Sequence, residues 1–275
     1  GGARISLAPP NYQLTRRSLA LFEPRMQLSL DNGSPPLTGW NSGRTSDFMI
    51  LWPSAQAEAS FGMTPPWPPY RLAVAALSRL APLAARWSPK LALGLSGRRL
   101  SAERFTAWGA GHRDRSRPLL LLHAASAGEL RQAEPVLARL QARHPSWQVA
   151  VTCFSPSGLP VADALKADVA GLLPFDRPAE VNALLDALAP GAIIYSRSDL
   201  WPELAHAASV RGIPQGMIAA TLPAGSRRRR WPASRVLRPA LEQLATVGAV
   251  SADDAYRLTL LGALPAVVSV TGDPW

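Results

Sequence analysis

The chain has 275 residues, 47% of them hydrophobic, and 29 Lys and Arg against 19 Asp and Glu give a formal net charge of +10. That length and apolar content are enough for one large or two small globular domains with a sizeable core. The single cysteine, Cys153, excludes an intramolecular disulfide and any multi-cysteine metal site, and fits a reducing compartment. The charge suits an anionic partner: nucleic acid, an acidic membrane surface or a phosphorylated substrate. No zinc-finger spacing, aromatic RNA-binding strand or zipper heptad accompanies it, so no nucleic-acid partner is expected.

Residues 1–62 show no sustained apolar period and are scattered with Pro, Gly, Ser and Asn. The expectation is a disordered or non-native extension, with Met63 as a natural start. Residues 70–95 are apolar but interrupted by charge, and no uncharged run reaches the roughly 18–20 residues of a membrane span. At about 100° per residue, Arg71, Arg79, Arg86 and Lys90 fall within roughly a 100° arc. Leu, Ala, Val and Trp87 cover the rest of the circumference. One reading is an interfacial helix on an anionic bilayer, with Trp67 and Trp87 near the headgroups. The other is a helix packed on the protein's own core. Pro82 and Pro89 should kink or split it. No signal peptide is present, so a cytoplasmic location is expected. Residues 96–117, with Arg98, Arg99, Arg104, Arg113, Arg115 and Arg117, form a basic connector. The membrane-associated segment and connector together occupy 63–117.

From Pro118 the pattern is regular. Short apolar runs at 119–123, 148–154, 169–173, 192–195, 215–219, 247–250 and 267–270 alternate with amphipathic runs at 129–144, 158–166, 178–188, 201–211, 235–244 and 252–261. Strands alternating with helices predict right-handed βαβ units. The fold class is therefore α/β, a Rossmann-like parallel sheet covered by helices on both faces, over 118–275. Cys153, inside an apolar strand, is expected to be a core residue.

Three stretches carry the candidate chemistry, each just past the carboxyl end of a strand, where open α/β sheets bind ligands. The first is His123-Ala-Ala-Ser126-Ala-Gly128-Glu129. It lacks the spacing of a dinucleotide fingerprint and the frame of a nucleophile elbow. On spacing alone, Ser126 and Glu129 read as a capping box. A carboxylate at a helix N-terminus is also held ionised by the dipole, which suits a general base. The second is Ser196-Arg-Ser198-Asp199-Leu-Trp201-Pro-Glu203. Here Ser198 or Asp199 reads either as an N-cap or as a ligand-facing group, and Trp201 reads as core. The third, Arg227–Arg230, reads as a solvated face or as a phosphate clamp. The histidines show no shared ligand spacing, so no metal site is expected.

Taken together, the motifs resemble the N-terminal half of the 3-deoxy-D-manno-octulosonic acid (Kdo) transferase family. Its His-Ala-x-Ser-x-Gly-Glu is similar to His123–Glu129, and its Glu-Leu-Trp-Pro to Asp199–Pro202. Its Ser-x-x-Asp-Ala-x-Arg-(Leu/Phe)-x-x-Leu-Gly is similar to Ser251–Gly262, and its closing Val-Thr-Gly-Asn to Val270–Asp273. The family also begins with a membrane-associated segment and an Arg-rich connector. The resemblance, over about residues 65–273, implies one half of a two-domain GT-B glycosyltransferase at the cytoplasmic face of the inner membrane. It implies Kdo transfer from CMP-Kdo to a lipid A precursor, with no cofactor and no metal. Glu129 matches the general base, and Asp199 is placed as a transition-state stabiliser. Ser126, Gly128, Ser198, Arg227 and Arg228 are placed as substrate-binding residues.

The pattern also departs from the family. Met-Glu-Thr-Glu is replaced by Ser196-Arg-Ser-Asp199, and Asn-Ala-Arg-Leu by Ala219-Ala-Thr-Leu222. The lysine after Thr-Gly-Asn gives way to Pro274 and Trp275. The donor domain is expected to lie outside this chain, and the chain alone to be inactive. Two alternatives stand beside this reading: another GT-B enzyme acting on a lipid-linked sugar, and a non-catalytic membrane-surface binding module.

Overall fold

In a computed structural model, the protein is described over residues 64–274; the expectations for residues 1–62 and Met63 lie outside that range. Helix α1 (Pro68–Ala84) is followed by a short 3-10 turn and α2 (Pro89–Gly111). Then come β1 (Leu119–Ala124), α3 (Ala127–Arg143), β2 (Gln148–Cys153), α4 (Leu159–Ala164) and β3 (Val169–Leu172). After them follow α5 (Pro178–Leu188), β4 (Ala192–Ser196), α6 (Pro202–Val210) and β5 (Gln215–Ala220). The described residues end with α7 (Ala233–Glu242), β6 (Thr246–Ala249), α8 (Ala252–Leu261) and β7 (Val268–Val270).

The seven strands form one sheet in the order β3-β2-β1-β4-β5-β6-β7, and every pairing is parallel. The four-leucine run of β1 explains why both faces are covered. Successive strand residues point to opposite faces. Leu119 and Leu121 accordingly join a core with Leu184, Leu188, Ile193 and Leu204. Leu120 and Leu122 join a second core with Leu130, Leu137, Val149 and Ile194. A strand buried on both sides cannot alternate with polar residues, hence the unbroken run. Cys153 is fully buried in the second core. Strand order reverses between β1 and β4, the topological switch point where such sheets open a crevice at their carboxyl ends.

The split expected in 70–95 falls at one of its two prolines. Pro89 opens α2, behind a Ser88 side chain that accepts from Leu91 N, whereas Pro82 stays within α1. The basic connector is mostly helix. Along α2, Ser101 and Phe105 are buried against β3, where a Cβ at Gly171 would come within 2.8 Å of the Phe105 ring. The glycine is what lets this helix sit so close. Five of the six connector arginines bond to backbone carbonyls of the domain: Arg98 to Phe154, Arg104 to Ala170, Arg113 to Leu188, Arg115 to Asp186 and Arg117 to Ser146. Arg99 pairs with Glu103 on its own helix. Most of the connector's positive charge therefore ties α2 and the loop after it to the domain.

Helix α1 docks through its first turn. Tyr70 Oη donates to Asp176 at 2.6 Å, and Arg71 makes a bidentate bond to Glu203 at 2.7 and 2.9 Å. Arg71 is thereby withdrawn from the basic arc expected to face a headgroup, because a nearly buried carboxylate holds it. The rest of α1 buries no residue. Leu72, Leu77, Leu80 and Leu83 are exposed, and so is Trp87 beyond it. No helix among the described residues is long and apolar enough to cross a membrane.

Candidate active site

The carboxyl ends of β1 and β4 bring the first two candidate stretches together. Ser126 is the extended N-cap of α3, and its Oγ accepts from Glu129 N at 3.4 Å. Glu129 reaches back, and its Oε2 accepts from Ala125 N at 2.7 Å. The cap expected from spacing is real, shifted by one residue from the usual reciprocal bond to the N-cap amide. The bond from Ala125 leaves the second carboxylate oxygen, Oε1, without a hydrogen-bond partner among the described residues. Burial pushes the Glu129 carboxyl above its ordinary value. The Ala125 N–H opposes this, the Asp199 charge adds to it, and the Arg197 and His123 charges oppose it. A carboxylate with raised basicity at a helix N-terminus is suited to proton abstraction. A Cβ at Gly128 would find only Ser126 Oγ, at 4.0 Å. Packing does not require a glycine here, and the space above the first turn of α3 stays open.

Sequence reasoning placed His123 in the first stretch but gave it no role. It has the parity of Leu119 and Leu121 and pairs in register with Thr152 on one side and Tyr195 on the other. Side chains in register on neighbouring strands share a face, so His123 Nδ1 meets Thr152 Oγ1 at 3.0 Å. Its Nε2 lies 3.1 Å from Asp199 Oδ2. Trp201 Nε1–H is directed at both, 2.9 Å from His123 Nε2 and 3.1 Å from Asp199 Oδ2. A wholly buried histidine at the end of an apolar strand was the available signal, since a buried polar side chain needs partners. Burial pushes Asp199 up, but the His123 bond and charge, the Trp201 N–H and the Arg228 guanidinium outweigh it, and its carboxyl sits below the usual carboxylate range.

The capping roles read for Ser198 and Asp199 are not what the structure shows. The first amides of α6, Glu203 N and Leu204 N, donate to Asp176 at 2.8 and 2.9 Å. A carboxylate from the loop before α5 thus does that work, and Asp199 is left to His123 and Trp201. Ser198 Oγ donates to the Thr221 carbonyl. Trp201 is half-buried: it packs against the first core, as expected, and also stacks on Phe154 at 4.9 Å between ring centroids beside Asp199. Arg197 and Ala219, on the neighbouring ends of β4 and β5, hold left-handed φ of 59° and 50°, joined by the bond from Arg197 N to Ile218 O. Such strain in non-glycine residues gathers at functional sites. Arg228 approaches Asp199 Oδ1 at 3.8 Å. Arg227 lines a cavity of about 600 Å3 together with Asp199, Trp201, Arg230, Trp231 and Leu237. No group of three or more His, Cys, Asp or Glu able to hold a metal occurs among the described residues.

The profile of the family described as 3-deoxy-D-manno-octulosonic-acid transferase (kdotransferase) matches residues 98–274, well over half of the chain. The chain belongs to the Kdo transferase family. Among its relatives is a 3-deoxy-D-manno-octulosonic acid transferase of Haemophilus influenzae, 28% identical over 156 residues, which are 56% of this chain and 36% of that protein. Another is a probable mitochondrial 3-deoxy-D-manno-octulosonic acid transferase of Arabidopsis thaliana, 31% identical over 68% of this chain and 44% of that protein. A third, from Bordetella pertussis, is 30% identical over 52% of this chain and 34% of its own length. The chain thus spans less than half the length of these Kdo transferases. Among solved structures, a UDP-GlcNAc 2-epimerase from Neisseria meningitidis bound to UDP-GlcNAc aligns with a TM-score of 0.44 and 21% identity, over 57% of this chain and 47% of that one. Likeness of that degree says nothing about substrate.

Proposed function

We propose that this chain is the acceptor-side half of a GT-B glycosyltransferase that moves Kdo from CMP-Kdo to a lipid A precursor, lipid IVA, in lipopolysaccharide synthesis. One observation carries the reading beyond family membership: Glu129, its basicity raised by burial, lies at the switch-point crevice with one carboxylate oxygen unpartnered among the described residues. In the reaction Glu129 takes the proton from an acceptor hydroxyl. That oxygen bonds to the anomeric carbon of Kdo, the bond from that carbon to the CMP phosphate oxygen breaks, and CMP leaves with the electron pair. The leaving group is already activated, so the step requires a base and no metal or cofactor. Asp199, ionised and held by His123 and Trp201, stabilises positive charge developing on the sugar. Ser126, Gly128 and Ser198 border the acceptor, and Arg227 and Arg228 hold its phosphates.

In this reading the chain works at the cytoplasmic face of the inner membrane, and the exposed leucines of α1 support a surface-bound helix. Leu72, Leu80 and Leu83 fall within about 80° of one another on the helix. Exposed Arg79, Arg86 and Lys90 supply attraction to an anionic surface. The deciding experiment measures Kdo transfer from CMP-Kdo to lipid IVA by the full-length protein and its Glu129→Gln variant. Undiminished turnover in the variant would leave Glu129 as a cap alone.

A further inference from the structure

The cavity beside Asp199 has an apolar wall that the transfer chemistry does not use. Its wall is mainly apolar, built from Leu200, Trp201, Pro202, Trp231, Val236 and Leu237. Two exposed arginines, Arg227 and Arg230, also line it, and neither has a carboxylate partner among the described residues. The carboxylate present, on Asp199, is much less exposed and already engaged by His123, Trp201 and Arg228. An anionic group is therefore repelled from the Asp199 end and attracted to the arginine rim. Trp231 is 74% exposed and meets Trp67 edge-on at 6.2 Å, so an aromatic edge also stands at the rim. Tyr70, on α1, contributes to the lining as well, which puts the cavity beside the helix that displays its leucines to solvent. A volume of about 600 Å3 lies in the roughly 300–1,000 Å3 range of small-ligand sites.

We propose that this cavity seats one hydrocarbon chain of a phosphorylated lipid, with the phosphate on Arg227 and Arg230. Apolar walls alone would admit any hydrophobe. Two unpaired guanidiniums at the rim match a phosphate, and bidentate donation is the strong form of that contact. The site would hold the acceptor by its chain while leaving the sugar hydroxyl free to approach Glu129. That last role rests on the transferase reading, whereas binding of the lipid does not.

The test is calorimetric titration of the 275-residue chain with dodecyl phosphate below its micelle concentration, set against dodecyl maltoside and inorganic phosphate. We expect one saturable site for dodecyl phosphate and much weaker binding of both comparison ligands. Val236→Trp, or Ala233→Phe one turn earlier on the same helix, should weaken dodecyl phosphate binding roughly tenfold or more. Arg227→Ala combined with Arg230→Ala should bring it down to the level of the maltoside. Parent-like binding in both cavity-filling variants would overturn the proposal, since the amphiphile would then sit on the leucines of α1. Equal affinity for inorganic phosphate would overturn it too. Should both filling variants lose the native far-ultraviolet spectrum, a terminally brominated dodecyl phosphate decides. The quenched fraction of tryptophan emission must fall in Trp231→Phe, and an unchanged fraction refutes the site. Absence of Kdo transfer by the full-length protein alongside these binding results would remove the enzymatic reading and leave the lipid site standing.

Discussion

Asp199 Oδ2 stands 3.1 Å from His123 Nε2, and that contact joins the end of β4 to the end of β1 across the switch point of the sheet. It fixes a carboxylate near the proposed base, where its charge helps raise Glu129. Replacing Asp199 by Asn removes that charge. The Glu129 pKa should then fall, because a neighbouring negative charge no longer opposes ionisation. In kcat/KM against pH, the acid limb of the Asp199→Asn enzyme should move to lower pH than that of the parent. A limb that stays in place would mean the two carboxylates are not coupled.

Glu129→Gln separates capping from catalysis. Glutamine still accepts from Ala125 N, as capping boxes with Gln do, so the melting temperature should change little. It cannot take a proton, and loss of a general base typically costs about 10²–10⁴-fold in rate. Turnover and thermal melts of the same preparation read both effects.

Asp176 should make stability depend on pH. Burial pushes its carboxyl up to about 6, against the bonds it accepts from Tyr70, Glu203 N and Leu204 N. A carboxyl with a folded pKa above its unfolded value favours folding in its protonated form. Its contribution is therefore complete below about pH 4 and is lost as the pH rises through about 6, amounting to roughly 2–3 kcal/mol. Urea unfolding of parent and Asp176→Asn from about pH 4 to 7 should give curves that converge as the pH rises.

The Arg71–Glu203 pair anchors α1. Glu203 has a side chain only 3% exposed, whereas that of Arg71 is 36% exposed. Arg71→Ala strands a buried carboxylate and should cost about 3 kcal/mol, measured by urea unfolding, and should make α1 more sensitive to limited proteolysis. Adding Glu203→Gln should recover much of the loss, since the uncompensated charge is gone.

Cys153 should be inert in the native protein. Burial pushes its thiol up to about 11, so little thiolate forms at neutral pH. Iodoacetamide should label it slowly, and labelling should accelerate on unfolding in urea. Comparable rates in both states would contradict the packing of β2 against α3 and α4.

All seven strands and six following helices were legible from periodicity, within about two residues at most ends, because β1 to β6 are buried on both faces and read as nearly unbroken apolar runs. Ser126 and Glu129 were legible too, since a cap is local in sequence. Asp176 was not, although it caps α6: the amides it satisfies belong to Glu203 and Leu204, far along the chain. The bonds of the connector arginines were not legible for a related reason. A guanidinium bound to a carbonyl of the domain looks the same in sequence as one awaiting a phosphate.

By itself, then, the amino-acid order determined the α/β class, the strand and helix sequence, the family motifs and the cap that holds Glu129. These depend on contacts a few residues apart or on the period of burial. Only the tertiary structure decided that His123 and Trp201 hold Asp199, that Arg71 is spent on Glu203, and that Arg227 and Arg230 stand over an apolar cavity. Each of these depends on which strand lies beside which. In a parallel sheet that neighbourhood is set by crossovers and burial of whole elements, and no local pattern records it.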